Sequence, residues 1–386
     1  AGEVVQRPAS AVKEMLENSI DAGSTKIQLI VNEAGKSLIQ VIDNGKGMSA
    51  TDARMAFERH ATSKISQADD LFAIKTMGFR GEALASIAAV AQVELRTRTQ
   101  DEEIGTEIYI SASKVISQDH VQTQAGCSFS VRNLFFNVPA RRKFLKTNKT
   151  EFKHIVTEFQ RVALAYPEIE FKFNHNREEV YTLPASTAGK RIILLFGKQY
   201  QKNLLPVETE TPIVSLKGYI CKPEGAKKTS GDQFFFVNKR FMKHYYFHKA
   251  VLSAYENILP PDMIPFYFIY FKTDPKSIDI NIHPTKTEIN FENAHAIFQI
   301  LKSTVRNALG KFNVTPSIDF DREGDPGIPV FKKDTEVRIP GVEVNPFYNP
   351  FDQEKKSGNT GREKENLKNW ETLYKDFEGI DPAHQS

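Results

Sequence analysis

Glu14 and Asn18 lie four residues apart in a stretch, Pro8 to Asp21, that carries the other marks of a helix. On a helix that spacing brings both side chains to one side. A carboxylate there can accept a proton from water, and an amide oxygen beside it can hold Mg2+. The same spacing also suits a solvated polar face. Asp43 closes an apolar run and is followed by Asn44-Gly45-Lys46-Gly47-Met48. Aspartate after a strand is commonly only a turn starter. Held in place, it can instead accept the exocyclic amine of adenine, with Gly45 and Gly47 letting the base approach the backbone. Gly78-Phe79-Arg80-Gly81-Glu82-Ala83-Leu84 is a glycine loop opening a small-residue helix, and free amides at a helix N-terminus bind phosphate. Each of these also has a purely structural reading.

The elements that must hold them follow from periodicity. Pro8 suits a first helical turn, and Val12, Met15, Leu16, Ser19 and Ile20 recur on the face opposite Glu14 and Asn18. Asp21-Ala22-Gly23 stops the helix. Alternation from Lys26 to Val31, a turn near Gly35 and the run Leu38 to Ile42 predict two strands. Ser49 with Asp52 resembles a capping box. Further strands are expected around 92–97, 104–112 and 127–134, then a basic helix from Pro139. This is an α+β layer of mixed order, with no regular βαβ repeat. A boundary is expected near 185–190, and a second unit with strands at 213–221, 234–238, 266–271 and 278–282. Beyond Lys311, Gly, Pro, Asn and mixed charge predict a flexible linker or tail.

Two nucleotide motifs are excluded. Gly35-Lys36-Ser37 lacks the first glycine of a Walker A loop, since position 30 is Ile30. Gly45-Lys46-Gly47 is not continued as a dinucleotide fingerprint, since position 50 is Ala50.

The order Glu14…Asn18, Asp43 to Met48, then Gly78 to Leu84 resembles the GHKL ATPase superfamily, which includes type II topoisomerases, Hsp90 chaperones and histidine kinases. AGEVVQRPASAVKEMLENSIDAG (1–23), ERHATSKI (58–65), GFRGEALASI (78–87), NLFFNVPARRKFLK (133–146) and DINIHPTKTEINF (279–291) narrow the resemblance to the MutL family of DNA mismatch-repair proteins, over about 1–310. An Hsp90-like chaperone or topoisomerase subunit is the alternative, but those do not carry GFRGEALASI with NVPARRKFL.

The resemblance implies a Bergerat-type α/β sandwich over 1–187, a ribosomal protein S5 domain 2-like α/β domain over 188–311 and a tail over 312–386. It implies a weak ATPase with ATP and Mg2+ as cofactors. Glu14 would be the general base and Asn18 the Mg2+ ligand. Asp43 would read adenine, with Gly47 and Met48 nearby and Ser128 near the adenine end. Thr62, Ser63 and Lys64 would line the nucleotide or its lid. Gly78, Phe79, Arg80, Gly81, Glu82, Ala83 and Leu84 would supply lid and phosphate-cradling amides. Lys286 would reach the γ-phosphate, and His283 would shape its loop. Glu17 and Asp21 share the polar face but stand outside the implied site. Implied partners are a second copy of the chain through an ATP-dependent N-terminal contact, the mismatch-recognition protein MutS, and weakly bound DNA. No DQHA-type metal motif is present, so no nuclease activity is implied.

Composition agrees with a soluble globular protein. Of 386 residues, 40% are hydrophobic and 26% charged. Residues 1–310 hold 40 basic and 33 acidic side chains, against 11 and 15 over 311–386. A moderately basic body permits contact with phosphates. Arg141, Arg142 and Lys143 form one candidate DNA cluster; Lys239, Arg240 and Lys243 form another. Either could be ordinary solvated surface. No membrane span or signal peptide is read, and Cys127 and Cys221 form no motif. A reduced intracellular compartment is expected: cytoplasmic, nucleoid-associated in a bacterium, nuclear in a eukaryote. The start at Ala1-Gly2 leads to the expectation of missing upstream residues.

Overall fold

Apolar residues at three- and four-residue spacing give α1 (Pro8–Asp21) one buried stripe, in which Val12 and Leu16 are wholly covered. Burying each such side chain stabilises the fold by about 1.5–3 kcal/mol. The computed structural model describes residues 5–58, 83–279 and 289–312. After α1 come β1 (Lys26–Asn32), β2 (Leu38–Asp43) and α2 (Ala50–Met55), whose Ser49 cap accepts the Asp52 amide as the capping box predicts. Then follow α3 (Ala83–Ala88), β3 (Gln92–Arg98), β4 (Gly105–Ser111), β5 (Lys114–Val121) and β6 (Gly126–Arg132). Two helices, α4 (Pro139–Phe144) and α5 (Asn148–Ala165), lead to β7 (Glu170–His175) and β8 (Glu178–Leu183).

These eight strands form one mixed sheet in the order β5-β4-β3-β6-β2-β1-β7-β8, antiparallel except where β7 joins β1. Alternate residues, such as Leu29, Val41, Leu95, Phe129 and Phe173, belong to one buried core together with the apolar stripe of α1 and the inner face of α5. The expected helix from Pro139 is real but short. Leu145 turns to extended backbone, and Thr147 caps a new, 18-residue helix.

The chain continues through α6 (Ala188–Phe196), β9 (Leu204–Glu210), β10 (Ser215–Cys221), β11 (Gln233–Val237), β12 (Arg240–Met242), α7 (Tyr245–Ala254) and β13 (Tyr267–Lys272). A two-residue pair, β14 (Ile278–Asp279) and β15 (Asn290–Phe291), precedes α8 (Ala294–Phe312). The second sheet runs β12-β11-β13-β10-β9. Both its faces are apolar. Phe235, Tyr267 and Phe271 belong to a core with α7 and α8, whereas Phe234, Phe236 and Phe268 join the core of the first sheet. The expected boundary at 185–190 therefore falls at the Thr187 cap of α6, where the chain pauses but the core does not. Residues 1–323 form one compact unit and 324–386 another, the latter outside the described residues. Among the described residues no helix is long and apolar enough to cross a membrane.

Arg191 on α6 holds this junction. It is fully buried and donates to the carbonyls of Ala163 (3.1 Å), Pro167 (2.8 Å), Ile169 (2.8 Å) and Pro184 (2.9 Å). Burial pulls its guanidinium down to about 10, so it stays charged at neutral pH. Its charge also faces the C-terminal end of the α5 dipole. Arg191→Leu is expected to remove about 3–5 kcal/mol of stability, because four carbonyls lose their donor inside the core. Denaturant midpoints measure this; a loss below about 1 kcal/mol would mean that the carbonyls find other partners.

Candidate nucleotide site

Glu14 and Asn18 both lie half-buried on α1. The Glu14 carboxylate is 3.9 Å from the Lys13 ammonium, which also lies 3.4 Å from Glu17. Burial acts to lower the Lys13 pKa, but Glu17 and Glu14 outweigh it and hold the ammonium above its ordinary value. Asn18 has a partner as well.

Asp43 ends β2 and is tied to the same helix. Ser19 Oγ donates to Asp43 Oδ2 at 2.6 Å, and the Gly45 amide donates to Oδ1 at 2.9 Å. Burial raises the Asp43 carboxyl above its ordinary 3.8, against the hydrogen bonds from Ser19 and Gly45 that favour the charged form. One end of the site is thus built from α1 and the other from β2, joined through Ser19. The sequence placed Ser19 on the apolar face, and it is indeed buried; that its hydroxyl seeks Asp43 had no periodic signal.

The loop after Asp43 is fixed by close backbone contacts. Gly47 has φ +68, and a Cβ there would lie 2.0 Å from the Arg98 carbonyl oxygen. At Gly45 a Cβ would meet Ser24 and Ala22 at 2.7–2.9 Å. Both glycines are therefore required by the protein's own packing, without invoking a base. The Met48 amide donates to Thr97 Oγ1 at 2.9 Å, and Thr97 donates to the Gly126 carbonyl at 2.9 Å. Thr97 was not foreseen, since nothing in an alternating strand marks it.

Ser128 lies one pair away from Asp43 on the neighbouring strand, with its side chain on the opposite face of the sheet. In the β2–β6 register Asp43 faces Cys127, and Ser128 pairs with Ile42. Successive strand residues point to opposite faces. Asp43 shares the helix-covered face with Val41, so Cys127 is on its side and Ser128 is on the other, where Gln40 Nε2 donates to its hydroxyl at 3.1 Å. Cys127, one residue earlier on β6, is the residue that faces Asp43. Burial and the Asp43 charge hold the Cys127 thiol well above its ordinary value, so it stays a neutral, small neighbour.

Ala83 and Leu84 open α3, with Leu84 packed on the core. Thr62, Ser63, Lys64, Gly78 to Glu82, His283 and Lys286 lie outside the described residues.

The first-sheet region matches the family described as "Histidine kinase-, DNA gyrase B-, and HSP90-like ATPase" over residues 6–131. Residues 192–310 match "DNA mismatch repair protein, C-terminal domain". The "DNA mismatch repair protein MutL" of Bacteroides fragilis is 54% identical over 385 residues, covering 100% of this chain and 61% of that protein. The chain belongs to the MutL family. The MutL of Phocaeicola vulgatus is 55% identical over 98% of this chain, and again the chain spans 61% of that relative. Among solved structures, the "N terminal domain of a DNA repair protein" superposes with TM-score 0.70 at 25% identity, over 81% of this chain and 97% of that one. The "Aquifex aeolicus MutL ATPase domain complexed with ADP" shares the fold, with TM-score 0.54 at 24% identity over 77% and 98% of the two chains. The fold is thus that of a MutL ATPase region, and the other GHKL proteins weighed as alternatives are set aside.

The two basic clusters fare differently from one another. Arg142 and Lys143 are exposed, as is Phe144 between them and Lys146. Arg141 instead donates to the Val5 carbonyl at 3.2 Å, and its guanidinium lies 5.8 Å from the centre of the Phe135 ring. Lys239 and Lys243 are exposed, with Lys239 paired to Glu168 at 2.5 Å. Arg240 is only 6% exposed and cannot present its guanidinium to a phosphate backbone. Charge clustering alone did not reveal this, because β12 turns Arg240 inward between the exposed Lys239 and Lys243.

Proposed function

We propose that this chain binds and slowly hydrolyses ATP as the nucleotide-switched part of a mismatch-repair coordinator. What carries the reading is the Ser19–Asp43 hydrogen bond, which joins an adenine-reading carboxylate to the helix bearing Glu14 and Asn18. Glu14 orients and deprotonates the attacking water. Asp43 accepts the adenine amine, and Cys127 closes that end.

Among the described residues no group of three or more His, Cys, Asp or Glu side chains could hold a metal ion by itself. A single amide oxygen, Asn18, suits Mg2+, which takes most of its ligands from water and phosphate. Bound there, Mg2+ would offset charge developing on the phosphates. The amides of 78–84 would cradle the phosphates, with Thr62, Ser63 and Lys64 in the lid. Lys286 would contact the γ-phosphate and so distinguish ATP from ADP, the differential interaction that a ligand-driven switch needs. ATP would join two N-terminal units and hydrolysis release them, relaying mismatch detection from MutS to downstream enzymes.

DNA contact would be weak and blind to sequence, through Arg142, Lys143, Lys239 and Lys243. Reversing the charges at Arg142 and Lys143 is expected to weaken binding alike for different duplexes. It should also reduce the slope of log K against log salt by about 1–2. Equal slopes for variant and parent would return this cluster to ordinary surface.

The direct test of the nucleotide reading is ADP and ATP-analogue binding to the parent chain and to Asp43→Asn, with the outcome set out in the Discussion.

A further inference from the structure

The β11–β12 hairpin turns through Asn238 and Lys239, both at positive φ (47° and 67°), and its closing pair is Val237 with Arg240. The hairpin is seated on the far end of α5. Arg161 of that helix lies 4.0 Å over the Phe241 ring, and Lys239 pairs with Glu168 and lies 4.9 Å over Tyr166. Beside it, Tyr270 of β13 donates to the Leu164 carbonyl at 3.1 Å. From this seat the charge of Arg240 reaches α1. It opposes the Lys13 ammonium, and Tyr166 feels Asp21, Glu17 and Arg240 together. Glu17, on the same turns of α1 as Glu14 and Asn18, is only 4% exposed, and Glu17, Asp21 and Arg240 each have a partner.

We infer that Arg240 is a positioning residue for ATP hydrolysis: a buried cation, delivered by a hairpin of the second sheet, holds the carboxylate row of α1 and thereby fixes where Glu14 and Asn18 stand. This rests on the reading of α1 as the hydrolytic helix. The physical reason is the cost of burial. Glu17 is almost wholly out of water, and a buried carboxylate needs charge and hydrogen-bond compensation. Lys13 at 3.4 Å supplies part of it from the same helix, which cannot anchor that helix to anything else. Arg240 comes from another sheet, so its charge resists rotation and sliding of α1. Without it, α1 would shift to hydrate Glu17, and Glu14 lies less than one turn away. Displacement of a reacting group by about 1 Å can cost about 100-fold in rate. The adenine end keeps two further supports besides its Ser19 bond to α1, the β2–β6 register and the Gly45 amide, so ADP affinity depends less on Arg240 than turnover does.

The test compares parent, Arg240→Met, Arg240→Lys, Glu17→Gln and the double variant Arg240→Met/Glu17→Gln, with Glu14→Ala as the control on the underlying reading. Expected for Arg240→Met is a fall in kcat of about 10-fold or more, with ADP affinity changed by less than about 3-fold. Arg240→Lys should restore part of the rate. Glu17→Gln should restore part of it in the Arg240→Met background, because the uncompensated carboxylate is then gone. The DNA salt slope should be unchanged. If Arg240→Met does not fold, Arg240→Lys and Glu17→Gln, which keep side-chain volume, carry the same comparison through reduced kcat at unchanged ADP affinity. Parental kcat in the folded Arg240 variants would overturn the inference, as would a loss confined to ADP affinity or a reduced DNA salt slope. Full turnover in Glu14→Ala would instead overturn the reading of α1, which separates the two failures.

Discussion

Glu14→Ala is expected to lower ATP turnover by about 100- to 10,000-fold, the usual loss when a general base is removed. ATP affinity should change little, because the carboxylate meets water rather than the nucleotide. Its position supports this separation: Glu14 stands on α1 beside Lys13, whereas Asp43 stands on β2 and meets the helix through Ser19. Removing Glu14 also leaves Lys13 with Glu17 as its remaining close carboxylate, so α1 keeps an internal ion pair and the fold should survive. Single-turnover hydrolysis and equilibrium ATP binding on the same preparation measure the two effects. Near-parental turnover would remove Glu14 from the mechanism.

The second large effect is expected at Asp43, with opposite signs for binding and stability. Asp43→Asn should weaken ATP and ADP binding by about 10- to 100-fold, the worth of one charge-assisted hydrogen bond to the adenine amine. Stability of the free protein should not fall with it. Burial raises the Asp43 carboxyl above 3.8 in the folded state. A raised acid contributes stability that is fully present below its unfolded value and is lost as pH rises through the folded value. At neutral pH the charged carboxylate therefore works against folding, and asparagine removes that cost. The variant should melt at or above the parental temperature at neutral pH, and this advantage should disappear below about pH 3.8. A variant that melts well below the parent at neutral pH would show that the Ser19 and Gly45 hydrogen bonds outweigh the desolvation.

The placement of the described candidate residues was legible in the sequence where they sit on strongly periodic elements. The stripe of Val12, Met15 and Leu16 fixes the roll of α1, and hence the side from which Glu14 and Asn18 project. The alternation of Leu38 to Ile42 fixes the face of β2, and Ser49 with Asp52 fixes the start of α2. What was not legible depends on pairing between distant segments. That Cys127, and not Ser128, shares the face of Asp43 was hidden because the face of β6 is set by its register with β2, which no local pattern displays. Arg240 read as part of a basic surface because Lys239 and Lys243 are exposed on either side of it. Only the hairpin turn and the docking of β12 on α5 make it internal. The 18-residue α5 was not singled out after the basic helix, since Leu145 and Thr147 end one helix and begin another without glycine or proline. Arg191 gave no sign at all, because its partners are backbone carbonyls supplied by four different positions.

The central claim is that α1, the end of β2 and the start of β6 together form one Mg2+-assisted ATP site. Amide hydrogen exchange of the chain, free and saturated with a non-hydrolysable ATP analogue and Mg2+, tests it most directly. Saturable binding of one nucleotide per chain is predicted, weaker when Mg2+ is chelated. New protection should centre on Glu14 to Ser19, Asp43 to Met48 and Gly126 to Ser128. Saturable binding that leaves these three segments unchanged and protects others instead would contradict the account.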